Sequence, residues 1–117
     1  MSSVPATEKF LDSGLAPRCR WVLLEPEQQE MDQALTVVAK VEEMLRGAGV
    51  ALPIILHGLN RTAWGFIDEA ARRGYGTRIG FEDVLTLPDG SHASSDAELV
   101  AEAGERVRKL GRGDRRR

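Results

Sequence analysis

A repeated pattern most constrains the fold: a short hydrophobic run, then a polar residue, then a segment with helical periodicity, three times in 117 residues. The hydrophobic runs are predicted strands over Arg20–Leu24, Pro53–Leu56 and Thr77–Phe81, and the polar residues that follow them are Glu25, His57, Glu82 and Asp83. Strands that alternate with helices form parallel sheets with right-handed crossovers. The carboxyl ends of the three strands, with their polar residues, are therefore expected at one edge of the sheet.

Each strand is followed by apolar residues at the i, i+3, i+4, i+7 spacing of an amphipathic helix. The first helix is predicted over Asp32–Arg46, with the Asp32 carboxylate as its N-terminal cap. The second follows a cap at Asn60 and stops at Gly74, because glycine tolerates a left-handed backbone. The third begins near Ser95, within an S-x-x-E capping box. The chain therefore contains about three βα units.

We interpret the chain as a single partial domain over residues 1–117, with disordered tails at residues 1–7 and 111–117. In (β/α) barrels the active site lies at the carboxyl ends of the strands, where the polar residues of this chain are found. A closed eight-fold barrel needs about 250 residues, however. The predicted fold is therefore α/β, a portion of about three βα units from a TIM-like (β/α)8 barrel, with parallel strands and right-handed helical crossovers.

The composition excludes several classes of function. The net charge is −2, but residues 105–117 carry a net +5, which is typical of a solvated basic tail. Nucleic acid is not an expected partner, because basic residues interleaved with aromatic ones are not seen. Cys19 is the single cysteine, which excludes an internal disulfide and a cysteine zinc cluster. With no apolar leader and no long apolar run, the protein is expected to be soluble and cytoplasmic, with no membrane partner.

The third predicted strand carries a cluster of charges. Because side chains alternate along a strand, Arg78, Gly80 and Glu82 are expected on one face, with Gly80 leaving room for a ligand or another backbone. The carboxylate can hold a metal while the guanidinium binds the carboxylate of an anionic substrate. Asp83 follows where the strand turns and can serve as a base. The alternative is a structural arginine–carboxylate network, which is a common false positive for functional sites.

The residues around this cluster form a longer motif, Gly74–Asp83 continuing through Leu85–Gly90 and Ala97–Val100. This motif resembles the carboxyl-terminal part of the β-keto acid cleavage enzymes, a family that includes the 3-keto-5-aminohexanoate cleavage enzyme of lysine fermentation. The resemblance extends from about Gly14 to Leu110, and its most specific part is Arg-x-Gly-x-Glu-Asp. It implies the C-terminal portion of a TIM-like barrel and a divalent metal, usually zinc. It also implies an acyltransferase reaction of amino acid catabolism, in which a β-keto acid and acetyl-CoA, the co-substrate, give acetoacetate and a new acyl-CoA.

The resemblance implies a role for each residue of the core motif. Glu82 matches the metal-ligand glutamate, while Arg78 and Asp83 match the catalytic arginine and aspartate that handle the substrate. Two further metal ligands, a His-x-His pair, belong to the amino-terminal half of the family barrel, whereas this chain has only His57 and His92. One ligand makes a poor zinc site, because catalytic zinc takes about three protein ligands. The isolated chain is therefore expected to be inactive.

Four other residues have less certain roles. Glu25 has the location of a second acid or a substrate contact. His57 lies at a strand end and either faces the pocket or is hydrogen-bonded in place. The two tryptophans, Trp21 and Trp64, are predicted to pack in the core.

The expected partners are the small-molecule β-keto acid, acetyl-CoA and a further protein chain. An open parallel sheet exposes unpaired edges, so a homo-oligomer or a complementing N-terminal half-barrel is expected. Metal-dependent acyl exchange is the favoured function. The alternative is a non-catalytic truncated remnant, or a half-barrel interaction module that needs a partner chain. These residues do not specify which β-keto acid is accepted.

Overall fold

Three short strands pair in parallel, in the order in which they occur along the chain. They are β1 (Val22–Leu24), β2 (Ile54–Leu56) and β3 (Gly76–Thr77). The computed structural model of the chain describes residues 1–115, and the side chains of residues 1–111. The register places Leu24 beside Leu56, and Leu56 beside Thr77. The parallel sheet predicted from the strand–helix alternation is thus confirmed.

The helices that accompany the sheet are α1 (Val4–Ser13), α2 (Met31–Gly47), α3 (Ala63–Arg73) and α4 (Asp96–Arg115). Helix α2 connects β1 to β2, and α3 connects β2 to β3. Two short 3-10 turns, Ala16–Arg18 and Asn60–Thr62, precede β1 and α3. A long loop leads from β3 to α4. The arrangement is a small α/β fold that is compatible with part of a βα protein.

The helix ends confirm some of the predicted signals and correct others. Gly74 ends α3 in the left-handed conformation, and the hydroxyl of Ser95 accepts the Glu98 N–H at the start of α4. The other half of the predicted capping box differs, because the Glu98 carboxylate accepts the N–H of Ser94 and not that of Ser95.

The cap of α2 is Glu30 rather than Asp32, and its carboxylate accepts two backbone N–H groups of the first turn. Because the helix begins one residue earlier than predicted, Asp32 lies inside the first turn. A negative charge there interacts favourably with the helix dipole. Asn60 begins a 3-10 turn and does not cap α3 directly.

The first seven residues, for which the sequence predicts a disordered tail, include the beginning of α1. Ser3 caps this helix, and Thr7 is fully buried. The backbone of Met1 lies beside β1, where its N–H donates to the Leu23 carbonyl at 2.6 Å and its carbonyl accepts the Glu25 N–H at 2.7 Å. These contacts tie the amino-terminal segment to the outer side of β1.

The other predicted tail covers residues 111–117, and its disorder stays a prediction. Helix α4 continues to Arg115, while residues 116–117 lie outside the described residues. Trp21 corrects another prediction, since its side chain is 56% exposed. Side chains alternate along a strand, and the buried positions of β1 are taken by Val22 and Leu24. Trp64 is partly buried, and its indole N–H donates to the Thr86 carbonyl at 2.8 Å.

The third strand is shorter than predicted. The sequence predicts a strand over Thr77–Phe81, but residues 81–83 form a turn in which the N–H groups of Asp83 and Val84 both donate to the Gly80 carbonyl. In the described sheet β3 is an edge strand, so β2 alone pairs with it. Glycine and acidic residues have low strand propensity, and no second neighbour holds this segment extended.

The main core lies between the sheet and the helices that pack on it. Its buried residues are Val22, Leu24, Ala34, Val38, Val41, Leu45, Leu56, Phe66 and Ala70. A smaller cluster of Ala63, Val84 and Leu99 joins α3, α4 and the loop after β3. Among the described residues, no helix is long and apolar enough to cross a membrane.

Leu24→Ala should lower the free energy of unfolding by about 2–5 kcal/mol, because it removes buried methyl groups and leaves a cavity. Leu24 is fully buried, whereas Leu85, in the loop after β3, is 58% exposed. Leu85→Ala, the matched control, should change this free energy by less than about 0.5 kcal/mol. Urea unfolding followed by circular dichroism measures both values, and equal effects at the two positions would contradict the core described above.

Candidate active site

The carboxyl ends of β1 and β2 bring Glu25 and His57 together. The register places Leu24 beside Leu56, so the residues that follow the two strands are neighbours. The His57 backbone N–H donates to the Leu24 carbonyl at 3.0 Å, which continues the strand pairing by one step. The side chain of His57 then reaches the Glu25 carboxylate, with Nδ1 2.7 Å from Oε2.

The second ring nitrogen of His57 faces the loop after β3. Nε2 lies 2.8 Å from Oδ1 of Asp83, which is an ion-pair distance, although the N–H direction does not meet hydrogen-bond geometry. Asp83 is 4% exposed and His57 is 8% exposed, while Glu25 is partly exposed. One imidazole is therefore held between carboxylates from two loops. We call these three side chains the Glu25–His57–Asp83 triad.

The loop after β2 also holds Asp83 through the backbone. The N–H of Asn60, which has a positive φ of 52°, donates to the Asp83 carbonyl at 2.7 Å. The tight turn before it requires Gly58, because a Cβ at this position would lie 2.5 Å from the carbonyl oxygen of Thr62. The side chain and the backbone of Asp83 are thus both fixed by the segment that begins at His57.

The charges of the triad explain its protonation. Burial disfavours the imidazolium and works to lower the pKa of His57, but the carboxylates of Asp83 and Glu25, 2.8 and 2.7 Å from the ring nitrogens, outweigh this effect. The pKa of His57 is therefore raised above its usual 6.5. With the ring protonated and both carboxylates ionised, the three side chains together carry a single net negative charge. This arrangement can hold the carboxylates of Glu25 and Asp83 in fixed orientations, and Glu25 and His57 line a cavity.

That cavity is open and has a volume of about 330 Å³. It is lined by Ser2, Glu25, Pro26, Glu27, His57, Gly58 and Leu59. Its position at the carboxyl ends of β1 and β2 is the one that the strand-end pattern predicts for a functional site.

Arg78 and Glu82 line a different cavity, of about 460 Å³, beside β3 and α4. Most of its other lining residues are apolar. The Glu82 carboxylate lies over Gly80, where a Cβ would be 2.6 Å from Oε2. Arg78 and Glu82 are exposed, and the ion pairs of the described residues do not include one between them. The described geometry therefore contains no direct pair of the kind expected for a structural arginine–carboxylate network.

The turn after Gly80 explains why Glu82 and Asp83 separate. Successive residues in a helical turn point about 100° apart, so Asp83 turns toward His57 while Glu82 does not. Strand alternation cannot place Arg78, Gly80 and Glu82 on one face, because β3 ends at Thr77. That part of the expectation is wrong. Arg78 and Glu82 nevertheless line one cavity, and the predicted roles of Arg78, Glu82 and Asp83 stay predictions.

The described side chains do not form a metal site by themselves. Among them, no group of three or more His, Cys, Asp or Glu is arranged to hold a metal ion. His92 is exposed in the loop after β3, where its backbone bridges Thr86. Glu82 therefore stays a predicted ligand without described companions.

Sequence reasoning identified each member of the triad but did not predict their contacts. Strand alternation leaves the direction of Asp83 open, because the strand turns there, and the structure places its side chain against His57. The available signal was register: polar residues that follow adjacent parallel strands at equivalent positions must be neighbours. That signal applies to Glu25 and His57, because each follows its strand directly.

The stability of the fold should depend on pH through His57. Folding raises the pKa of this side chain, so its stabilising contribution is fully present below about pH 6.5 and is lost as the pH rises through the folded-state value. Urea unfolding between about pH 6 and pH 9 should show this loss of unfolding free energy. His57→Gln should remove this part of the pH dependence, whereas His92→Gln, at the exposed histidine, should keep it. Identical profiles for the wild type and His57→Gln would contradict the prediction.

Comparison with known proteins bears on the same residues. The family model of the beta-keto acid cleavage enzyme matches residues 3–113, a range that includes the triad together with Arg78 and Glu82. No curated protein matches the chain. Since the family match covers nearly all of the sequence, the chain belongs to the beta-keto acid cleavage enzyme family.

Proposed function

We propose that the chain forms part of a metal-dependent acyltransferase that converts a β-keto acid and acetyl-CoA into acetoacetate and a new acyl-CoA. Its membership of the beta-keto acid cleavage enzyme family carries the proposal and supports an enzyme that acts on β-keto acids. Acyl exchange, the use of acetyl-CoA and the metal are proposed in addition to this general activity. Because acetyl-CoA is an intracellular co-substrate, we place the reaction in the cytoplasm.

Asp83 is the proposed proton acceptor. Making or breaking a carbon–carbon bond next to a carbonyl group requires a proton to be moved, and a positioned carboxylate can move it. Asp83 is buried and held through both its side chain and its backbone, so its orientation is fixed before a substrate arrives. A fixed orientation lowers the entropic cost of reaching the reactive geometry.

Arg78 is the proposed partner of the substrate carboxylate. A guanidinium binds a carboxylate through two parallel hydrogen bonds, a geometry that an ammonium cannot reproduce. The side chain of Arg78 is exposed and lines the cavity beside β3, so it is accessible to an anionic ligand.

The described residues do not hold a metal by themselves. Glu82 is the proposed ligand from this chain, and catalytic zinc takes about three protein ligands. We propose that zinc is the metal and that the remaining ligands come from a complementing half-barrel or from another copy of the chain.

The strand order supports a partial barrel as the underlying fold. In barrels consecutive strands are neighbours, whereas doubly wound sheets reverse their order at a switch point. The three strands of this chain are consecutive neighbours and parallel. Three consecutive βα units of a (β/α)8 barrel would have this order, and they would leave an edge at β3 where further strands pair.

A second candidate function is a non-catalytic remnant or a half-barrel interaction module. The observation that favours it is the separation of the predicted site residues: Arg78 and Glu82 line one cavity, while Glu25 and His57 line another. Such a module would assemble with a partner chain but would not support turnover.

The chain alone should bind zinc weakly and form no acetoacetate from a β-keto acid and acetyl-CoA. A single carboxylate is a poor zinc site, and a site without its metal loses its Lewis acid. Isothermal titration with zinc and an acetoacetate assay measure the two properties. Tight stoichiometric zinc binding with turnover would show that the ligands lie elsewhere in this chain.

In a complex with a completing half-barrel, three substitutions should have different effects. Glu82→Gln should abolish metal retention, because a neutral amide is a poor ligand for a divalent cation. Asp83→Asn should keep the metal but lower kcat on the order of 10²–10⁴-fold, as expected for the loss of a general base. Arg78→Lys should chiefly raise the KM for the β-keto acid.

Metal analysis, steady-state kinetics and thermal melts separate these outcomes. Glu43→Gln, at an exposed position on α2, is the matched control and should change none of them. Assembly of the complex without turnover would favour the interaction module. Loss of folding stability in all three variants, with no separation between metal, kcat and KM, would show that these residues are structural.

A further inference from the structure

We propose that His57 is the positioning residue for Asp83 and that Glu25 holds His57 in this role. The proposal rests on the proposed function, in which Asp83 moves the proton. Its basis is geometric: the residues that follow three neighbouring strands place one buried imidazole between two carboxylates, with separations of 2.7 and 2.8 Å.

Burial is the first step of the argument. Asp83 is 4% exposed, so its carboxylate has lost most of its contact with water. A buried charge needs a partner, because its desolvation is otherwise uncompensated. Among the described ion pairs, His57 is the cationic partner of Asp83. The position and the charge of the imidazole therefore determine where this carboxylate can be held.

The second carboxylate explains how the arrangement would survive a proton transfer. When Asp83 takes a proton from the substrate, its Coulombic attraction to His57 falls. The Glu25 carboxylate still lies 2.7 Å from Nδ1, so the ring keeps its anchor and its place. The proton then moves from Asp83 to the product, and His57 neither gains nor loses a proton in the cycle. A histidine with Asp83 as its sole partner would lose that anchor at the moment of transfer.

The contacts also distinguish the two oxygens of Asp83. His57 faces Oδ1. In this proposal Oδ2, the oxygen not held by the imidazole, takes the substrate proton. The other charged group held against the ring is Glu25, at the end of β1, and its attraction favours the charged imidazolium. Glu27 lines the same cavity as His57 and is also acidic.

The first arm of the test measures the contact in the full chain and needs no activity. The chain has two histidines, so His92→Gln leaves His57 as its only imidazole. At a pH near the ordinary value of about 6.5, long-range ¹H–¹⁵N spectra should show a larger fraction of His57 with both ring nitrogens protonated than in either carboxylate variant, because both carboxylates raise the pKa of His57. Asp83→Asn and Glu25→Gln should each shift the spectrum toward the neutral ring. A His57 spectrum that Asp83→Asn leaves unchanged would overturn the proposal.

The second arm measures turnover in the complex with a completing half-barrel. His57→Gln should lower kcat by about 10–100-fold, the usual effect of removing a group that orients a functional residue. The KM for the β-keto acid should change by less than about 3-fold, because His57 does not bind the substrate in this proposal. Glu25→Gln should lower kcat less than His57→Gln.

A purely structural role is tested with a control of matched stability. Val38→Ala removes buried core volume on α2, away from the triad, and should lower the melting temperature without a selective loss of kcat. If His57→Gln lowers kcat no more than Val38→Ala at an equal loss of melting temperature, the positioning role is wrong.

The outcomes for Asp83 separate the two proposals. If Asp83→Asn keeps full turnover, or if the wild-type complex shows none, the proposed function is wrong and the imidazole spectra decide the positioning role. If Asp83→Asn loses turnover while His57→Gln keeps it, the proposed function stands and the positioning role is overturned.

Discussion

The parallel pairing of β1 with β2 is the constraint on which the rest of the site depends. With Leu24 beside Leu56, Glu25 and His57 leave the sheet as neighbours, and the His57 N–H still bonds to the Leu24 carbonyl. A shift of register by one residue would turn every side chain of the strand to the opposite face. Such a shift would expose the apolar side chains of the core and separate the carboxylate from the imidazole. The packing of the core and the assembly of the triad are therefore set by the same register.

Burial then decides what kind of group can occupy the end of β2. Removing the charged side chains of Asp83 and His57 from water costs desolvation free energy, and apolar surroundings do not offset it. Opposite charges at 2.7 and 2.8 Å offset part of this cost, and the backbone N–H of Asn60 fixes the carbonyl of Asp83. Replacing His57 would leave the buried Asp83 carboxylate without its cationic partner among the described ion pairs. The triad is thus a unit, and its position depends on all three loops that supply it.

Local sequence patterns were sufficient for the fold but not for the geometry of the site. Hydrophobic runs and helical spacing predicted the strand–helix order, because those signals lie within a few consecutive residues. The length of β3 was not predicted, since an edge strand depends on a neighbour that the pattern does not contain. Trp21 was placed in the core for the same reason: the alternation that exposes it is fixed by which face of β1 packs on the helices. The strand-end rule identified Glu25 and His57 as candidates, but their contact needed the register.

The turn at Gly80 divides the predicted site into a fixed part and an adjustable part. Asp83 and His57 are buried and held by several contacts, so moving them would disturb the packing around them. Arg78 and Glu82 are long and exposed, and ordering such a side chain costs about 1.5–2 kcal/mol of rotamer entropy. A hydrogen bond to a charged group contributes about 1.5–3 kcal/mol, so a contact with a metal or a substrate carboxylate can offset this cost. A proton-handling group therefore benefits from being rigid before the substrate arrives, whereas ligand-binding groups can be ordered by the ligand itself. The cavities agree with this division in part: His57 lines the one at the carboxyl ends of β1 and β2, whereas Arg78 and Glu82 line another beside β3 and α4.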